Sequence, residues 1–285
     1  MSRKYVMLIL SSVGLFFILA PLSSYTFFRL TGFEGQPIKA GLAVVTYCAL
    51  TYYWLSQAQA RQWKILVGVA MLLPVLIRYL PGYIWDFDRI QVALPTTIAF
   101  GVGVFSGYVL VNANQRLKTG LSLTLILTAL WVSTQGYELW MHKLHFGSYV
   151  GSTNEKLPDF SLRDEQGKTV NKASLKGKVV VLDFWNTGCG ACFQKFPLLE
   201  EYQKHYSINA NVKFYAVNIP LARDKPLDAI DAIKQRNYKF SVLYADKSSL
   251  ATLFNVKIYP TVVVIDSAQR IIYRGKLEGI GDLFQ

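Results

Sequence analysis

The chain has 285 residues, 52% of them hydrophobic, with mean hydropathy +0.26 and a formal net charge of +12. That is too apolar for an ordinary soluble domain, and the apolar excess lies in the first half. Residues 1–146 carry 11 Lys/Arg and 4 Asp/Glu and the remainder carries 19 and 14, so no concentrated basic patch argues for nucleic acid.

Five apolar segments precede residue 145, at about 5–22, 38–56, 65–84, 90–111 and 121–140. Each is near the ~20 residues needed to cross a hydrocarbon core. The third is interrupted by Pro74 and Arg78. A proline is tolerable in a membrane helix, and Arg78 can snorkel from near the segment's end. Arg3 and Lys4, Arg61 and Lys64, and Arg116 and Lys118 fall on one side if the count is five, which makes that side cytoplasmic. The opposite loops, around 32–36 and 86–89, are mixed in charge. The second half then emerges on the outer face. The first segment reads as an uncleaved helix, because Ala20-Pro-Leu-Ser-Ser is no small-x-small cleavage site.

Aromatic residues at the segment ends, among them Tyr52, Trp63, Trp85 and Trp140, suit interfacial belts, and anchoring is the plain reading of this half. Cys48 stands alone, which rules out a self-contained dithiol relay within the bilayer and makes it a buried, inert thiol. A quinone- or haem-coupled route stays open. His142 and His145 share a helix face beyond the fifth segment and read as interfacial histidines rather than haem or metal ligands. The expected organisation is a membrane domain over 1–145, a Gly/Ser/Thr/Asn-rich tether over 146–156, and a soluble domain over 157–285.

After the tether, strands and helices alternate. A hairpin over 160–170 with a Gly167-Lys168 turn leads to the apolar run Val179-Val-Val-Leu182, a strand buried on both faces. The run continues as Asp183-Phe-Trp-Asn-Thr-Gly-Cys189-Gly-Ala-Cys192, and a helix follows to Tyr206. Further elements are a strand at 212–219, a helix at 226–236, a strand at 240–245, a short helix at 248–254, and strands at 261–266 and 271–274. This alternation implies an α/β domain with a mixed central sheet flanked by helices.

Cys189 falls where the strand ends and the helix begins, where backbone N–H groups and the helix dipole favour a thiolate. Cys192, one turn deeper, can close a small disulfide ring. An exposed thiolate with a resolving thiol behind it is what reversible disulfide exchange requires. A zinc site would need two more ligands at suitable spacing, and the sequence offers no such pair. A structural disulfide is the remaining alternative.

The run from Asp183 to Cys192, with Pro197 after it, resembles the thioredoxin active-site segment. The upstream Leu157-Pro-Asp-Phe-Ser-Leu-Arg-Asp-Glu-Gln-Gly-Lys-Thr-Val, followed by Leu175-Lys-Gly-Lys-Val-Val-Val, resembles the opening of TlpA/ResA-type thiol–disulfide oxidoreductases. Ile258-Tyr259-Pro260-Thr261 is similar to that family's cis-proline loop. The resemblance covers residues 155–280. It implies a thioredoxin-like fold with Cys189 as nucleophile and Cys192 as resolving thiol, the redox-active pair being the only cofactor. It also implies that Asp183 relays the proton of Cys192, against an alternative as a hydrogen-bonded structural aspartate.

In the same family, Tyr259 and Pro260 dock the substrate backbone, and an ordinary trans proline opening a strand is the alternative. Trp185 packs beside the dithiol and joins the substrate-contact set. Pro197 bends the active-site helix. Gly188 stands where many relatives carry a bulky aromatic residue. Family members continue past 279 with a helix over one sheet face, whereas here a turn or so can form.

The resulting expectation is a multi-span protein of the bacterial inner membrane with its thioredoxin-like domain on the periplasmic side. It reduces disulfides of protein substrates, for instance an apocytochrome c in cytochrome c biogenesis, and draws electrons from a separate membrane donor. The rivals are a disulfide oxidase or isomerase using the same residues, and a redox-sensing or assembly subunit.

Overall fold

The computed structural model describes residues 3–23, 35–57, 60–206, 211–225 and 228–284, with the side chains of Ser23 and Asp282 left aside. Residues 32–34 of one expected loop and 226–227 of one expected helix lie outside that set. The chain divides into two compact units, Met1–Met141 and His142–Gln285.

The first unit is helical: α1 (Arg3–Leu19), α2 (Gly35–Ser56), α3 (Arg61–Trp85), α4 (Leu94–Asn112) and α5 (Gln115–Trp131). A π-turn at Val132–Gly136 carries α5 into α6 (Tyr137–Phe146). Among the described residues, five stretches are long and apolar enough to cross a bilayer: Arg3–Leu22, Gly35–Ser56, Arg61–Trp85, Phe87–Asn112 and Gln115–Phe146. Each overlaps one of the five expected segments. Pro74 and Pro81 both lie inside α3 without ending it. The outward faces carry Ile9, Leu10, Phe17, Ile77, Phe105 and Leu127, an apolar exterior suited to lipid.

Small residues set the closest approach within this unit. A Cβ at Gly103 would come within 2.7 Å of the Val44 carbonyl oxygen, and one at Gly107 within 2.7 Å of Thr51. Both glycines lie on α4 and both contacts on α2, the spacing that lets two membrane helices pack backbone to backbone. Cys48 on α2 is free and buried. The sequence reading passed over Lys39, which is 2% exposed and donates from Nζ to the Tyr79 hydroxyl at 3.1 Å.

The second unit is built on one eight-stranded sheet. Its strands are β1 (Ser152–Lys156), β2 (Ser161–Arg163), β3 (Thr169–Asn171), β4 (Val179–Trp185), β5 (Val212–Asn218), β6 (Val242–Tyr244), β7 (Thr261–Ile265) and β8 (Arg270–Gly275), in the order β1-β8-β7-β4-β5-β6-β2-β3. Strands β4, β5 and β6 run parallel, and β7 is antiparallel to β4. Helix α7 (Gly190–Tyr206) follows β4, α8 (Asp228–Lys234) follows β5, and α9 (Ser249–Leu253) precedes β7.

Strand alternation divides the core. Val180, Leu182 and Phe184 face one apolar layer with Phe160 and Phe254, whereas Val181 and Trp185 face another with Cys192, Phe196 and Leu199. A 3-10 segment, Leu277–Leu283, buries Leu277 and Ile280 in the second layer, so the short stretch after β8 does cover part of that face.

The tether expectation needs correction. Residues Ser152–Lys156 form an edge strand on β8, with Glu155 opposite Ile271. The reason is a buried cation. Arg274 on β8 is 1% exposed and donates to both carboxylate oxygens of Glu155, at 3.0 and 2.6 Å, and to the Phe254 carbonyl at 3.0 Å. A guanidinium that deep requires an anion, and the polar composition of 152–156 supplies it. Hydrogen bonds from Arg274 outweigh partial burial and hold the Glu155 carboxyl below its ordinary range. Its contribution to stability is therefore full above the unfolded-chain value near ~4.3 and is lost as pH falls through the lower folded value. Glu155→Gln should destabilise the β1–β8 edge by about 1–3 kcal/mol at neutral pH, read as faster amide exchange in both strands. Unchanged exchange would mean that Ser152–Lys156 is a tether after all.

Candidate active site

Strand β4 fixes where the chemistry sits. Its carboxyl end opens into Asn186-Thr-Gly-Cys189, and α7 begins at Gly190. The turn is self-supporting: the Gly188 N–H donates to Asn186 Oδ1 at 3.0 Å, and the Cys189 N–H to the Asn186 carbonyl at 3.1 Å. Cys189 is half-buried and Cys192 fully buried, and the two form a disulfide with S–S 2.04 Å. The Cys192 N–H, in the first turn of α7, donates to Cys189 Sγ at 3.1 Å. That donor and the helix dipole stabilise negative charge on the outer sulfur.

The sheet brings two more loops to the same end. Because β7 is antiparallel to β4 with Thr261 opposite Phe184, Tyr259 and Pro260 lie beside the dithiol turn, and the Tyr259–Pro260 peptide is cis. Both residues are partly buried. Because β5 is parallel to β4 with Asn218 opposite Trp185, the loop after Ile219 emerges there too. Asp224 fastens that loop to the turn, accepting from Thr187 Oγ1 at 2.7 Å and from the Leu221 N–H at 2.9 Å. Sequence reasoning missed this clamp, since nothing local to Asp224 points to Thr187.

Trp185 packs beside the dithiol as expected, but not as a substrate contact. It is 0% exposed, edge-on to Phe193 and Phe196 with ring centroids 5.7 and 5.3 Å away, so it supports the dithiol from beneath and cannot touch a substrate. Pro197 lies inside α7, and its missing N–H leaves the Phe193 carbonyl without a helical donor. The Tyr238 hydroxyl donates to that oxygen at 3.1 Å. The orphaned carbonyl was legible from the proline's position, but its partner 45 residues away was not. His142 pairs through Nδ1 with the Ser148 carbonyl at 2.6 Å.

Asp183 is 1% exposed, and among the described residues neither carboxylate oxygen has a hydrogen-bond partner. Its strand neighbours explain why: Ala216 lies beside it on β5 and Val262 on β7. Alternation turns it to the same sheet face as Val181 and Trp185, the face of Cys192. Burial, with a smaller push from the Glu278 charge, raises its pKa to about 8. A neutral carboxyl is the consequence at neutral pH.

For an acid whose folded pKa is raised, folding carries no penalty below the unfolded value near ~3.9. The penalty then grows by about 1.4 kcal/mol per pH unit until pH passes the folded value. Asp183→Asn should therefore stabilise the second unit increasingly from pH 4 to 8, measured as the denaturant dependence of amide exchange in β4 and β5. A pH-independent difference would contradict the raised pKa.

Residues 153–274 match the AhpC/TSA family. Thioredoxin-like protein YneN of Bacillus subtilis is 32% identical over 133 residues, 46% of this chain and 76% of that protein. Thiol–disulfide oxidoreductase ResA of the same organism is 26% identical over 156 residues, 55% of this chain and 81% of that protein. A crystal structure of the thioredoxin domain of a thiol–disulfide oxidoreductase from Bacteroides vulgatus aligns at 18% identity with TM-score 0.42, covering 47% of this chain and 99% of that one. Through its second half, the chain belongs to the ResA/YneN-like family of thioredoxin-fold thiol–disulfide oxidoreductases.

Proposed function

We propose that this chain is a membrane-anchored, outward-facing reductase of protein disulfides. The observation that carries the reading is the paired environment of the two sulfurs. Cys189 is half-buried at a helix amino end with an N–H aimed at it, and Cys192 is sealed behind it. The reduced protein attacks a substrate disulfide through the Cys189 thiolate, forming a mixed disulfide and releasing one substrate thiolate. Cys192 then attacks Cys189 Sγ, the second substrate thiolate leaves, and the protein ends as its disulfide with two electrons passed on. Asp183, in the ionised fraction that a pKa of about 8 leaves at neutral pH, takes the proton that Cys192 must lose. With a pKa of about 8 against ~8.5 for an ordinary thiol, that transfer is close to balanced. Tyr259 and Pro260 dock the substrate backbone in strand-like pairing.

The five apolar helices anchor the domain in the bacterial inner membrane, with the dithiol on the periplasmic side. A separate membrane donor returns the pair to its reduced state, and apocytochrome c is one substrate that fits. No cofactor beyond the dithiol is needed, and no metal or nucleic acid takes part.

The test is disulfide reduction by the full chain in nanodiscs, supplied with a dithiol donor. Turnover should vanish in Cys189→Ser, and Cys192→Ser should accumulate mixed disulfides. A reduction potential near ~−270 mV supports a reductase, and one between about −120 and −180 mV would make the protein an oxidase or isomerase instead. The Cys189 thiol should alkylate with a midpoint near pH ~7, only from the outer face of intact cells. A midpoint near ~8.5, or labelling from the cytoplasm alone, would overturn the reading.

A further inference from the structure

The loop after β5 does more than border the dithiol. Held by the Asp224 clamp, it lays Arg223 and Leu221 directly against Gly188. A Cβ at position 188 would lie 2.9 Å from Arg223 Nη2 and 3.2 Å from Leu221 Cδ1. The guanidinium thus occupies the space that a side chain at the position preceding Cys189 would take. A second guanidinium stands on the other side of the pair. Arg236 lies over the ring of Phe193, the residue after Cys192, at 4.3 Å from its centroid, and donates from Nη1 to the Ala232 carbonyl at 3.0 Å. Both arginines are exposed, and among the described residues neither forms an ion pair.

Three acids of this region have other partners. Asp224 holds Thr187 and Leu221, Glu278 pairs with Lys195, and Glu200 accepts from the Lys239 N–H. The disulfide is thus flanked along the chain, before Cys189 and after Cys192, by contacts to two guanidinium groups that have no ion-pair partner among the described residues. Guanidinium groups pair with carboxylates in a planar, two-point geometry that lysine cannot reproduce, and such charges at a rim speed the capture of oppositely charged partners.

We propose that Arg223 and Arg236 select substrates, making this dithiol an exchanger for disulfides carried in acidic protein segments. The inference rests on the disulfide-exchange reading above and names its substrate class. The two arginines are specificity residues: they meet the flanks of the incoming segment while the sulfurs do the chemistry.

The test uses the full chain in nanodiscs and two synthetic disulfide peptides, identical except for Asp or Lys on either side of the reacting cysteine. Exchange is followed in both directions, peptide disulfide with reduced protein and peptide dithiol with oxidised protein. The acidic peptide should be favoured about tenfold in kcat/KM at low salt, with the ratio shrinking as ionic strength screens the pair. The double variant R223Q/R236Q should bring the ratio near one, R223E/R236E should invert it, and R223K/R236K should keep the salt-dependent part. Equal exchange of both peptides by the natural chain, or an unchanged ratio in R223Q/R236Q, overturns the inference and leaves the oxidoreductase reading standing. Absence of exchange in either direction overturns both.

Discussion

The register of β4 against its two neighbours is the constraint on which the site depends. Parallel pairing with β5 and antiparallel pairing with β7 bring three loops to the carboxyl end of one buried strand: the dithiol turn, the loop clamped by Asp224 and the cis-proline loop. Each loop alone is a short polar connection. Together they surround Cys189 with an N–H donor, a guanidinium and a proline-capped edge, while the sheet beneath stays fixed because both of its faces are covered.

Asp183 shows what that strand tolerates for chemistry. A carboxyl between Ala216 and Val262, with no hydrogen bond to either oxygen among the described residues, is a destabilising choice for a core. Its neutral form removes most of the penalty, and the same burial brings its pKa close to that of an ordinary thiol. Stability and chemistry therefore oppose each other at this position, a common trade at sites tuned by desolvation. Among the described residues, the indole N–H of Trp185 and the side-chain amide nitrogen of Asn218 are also buried without partners at this end of the sheet.

The helical unit follows a different rule. Its exterior is apolar and glycines on α4 bring it close against α2, the arrangement expected where lipid removes any hydrophobic drive between helices. Lys39 stands out there as an ionisable side chain held inside a candidate span by a tyrosine hydroxyl.

Much of this was legible in the residue order. The five apolar stretches, the strand–turn–helix around Cys189 and Cys192, and the alternation behind the mixed sheet are local patterns, because length, hydrophobic period and dithiol spacing are properties of contiguous residues. Long-range pairing was not. Glu155 reads as tether until Arg274, more than a hundred residues away, draws it onto the sheet edge. Trp185 reads as a substrate contact until Phe193 and Phe196 close over it, and Gly188 reads as a position without the family's aromatic residue until Arg223 is found against it. A buried charge or ring takes its role from whatever the fold packs against it, and that partner is chosen by the sheet's register.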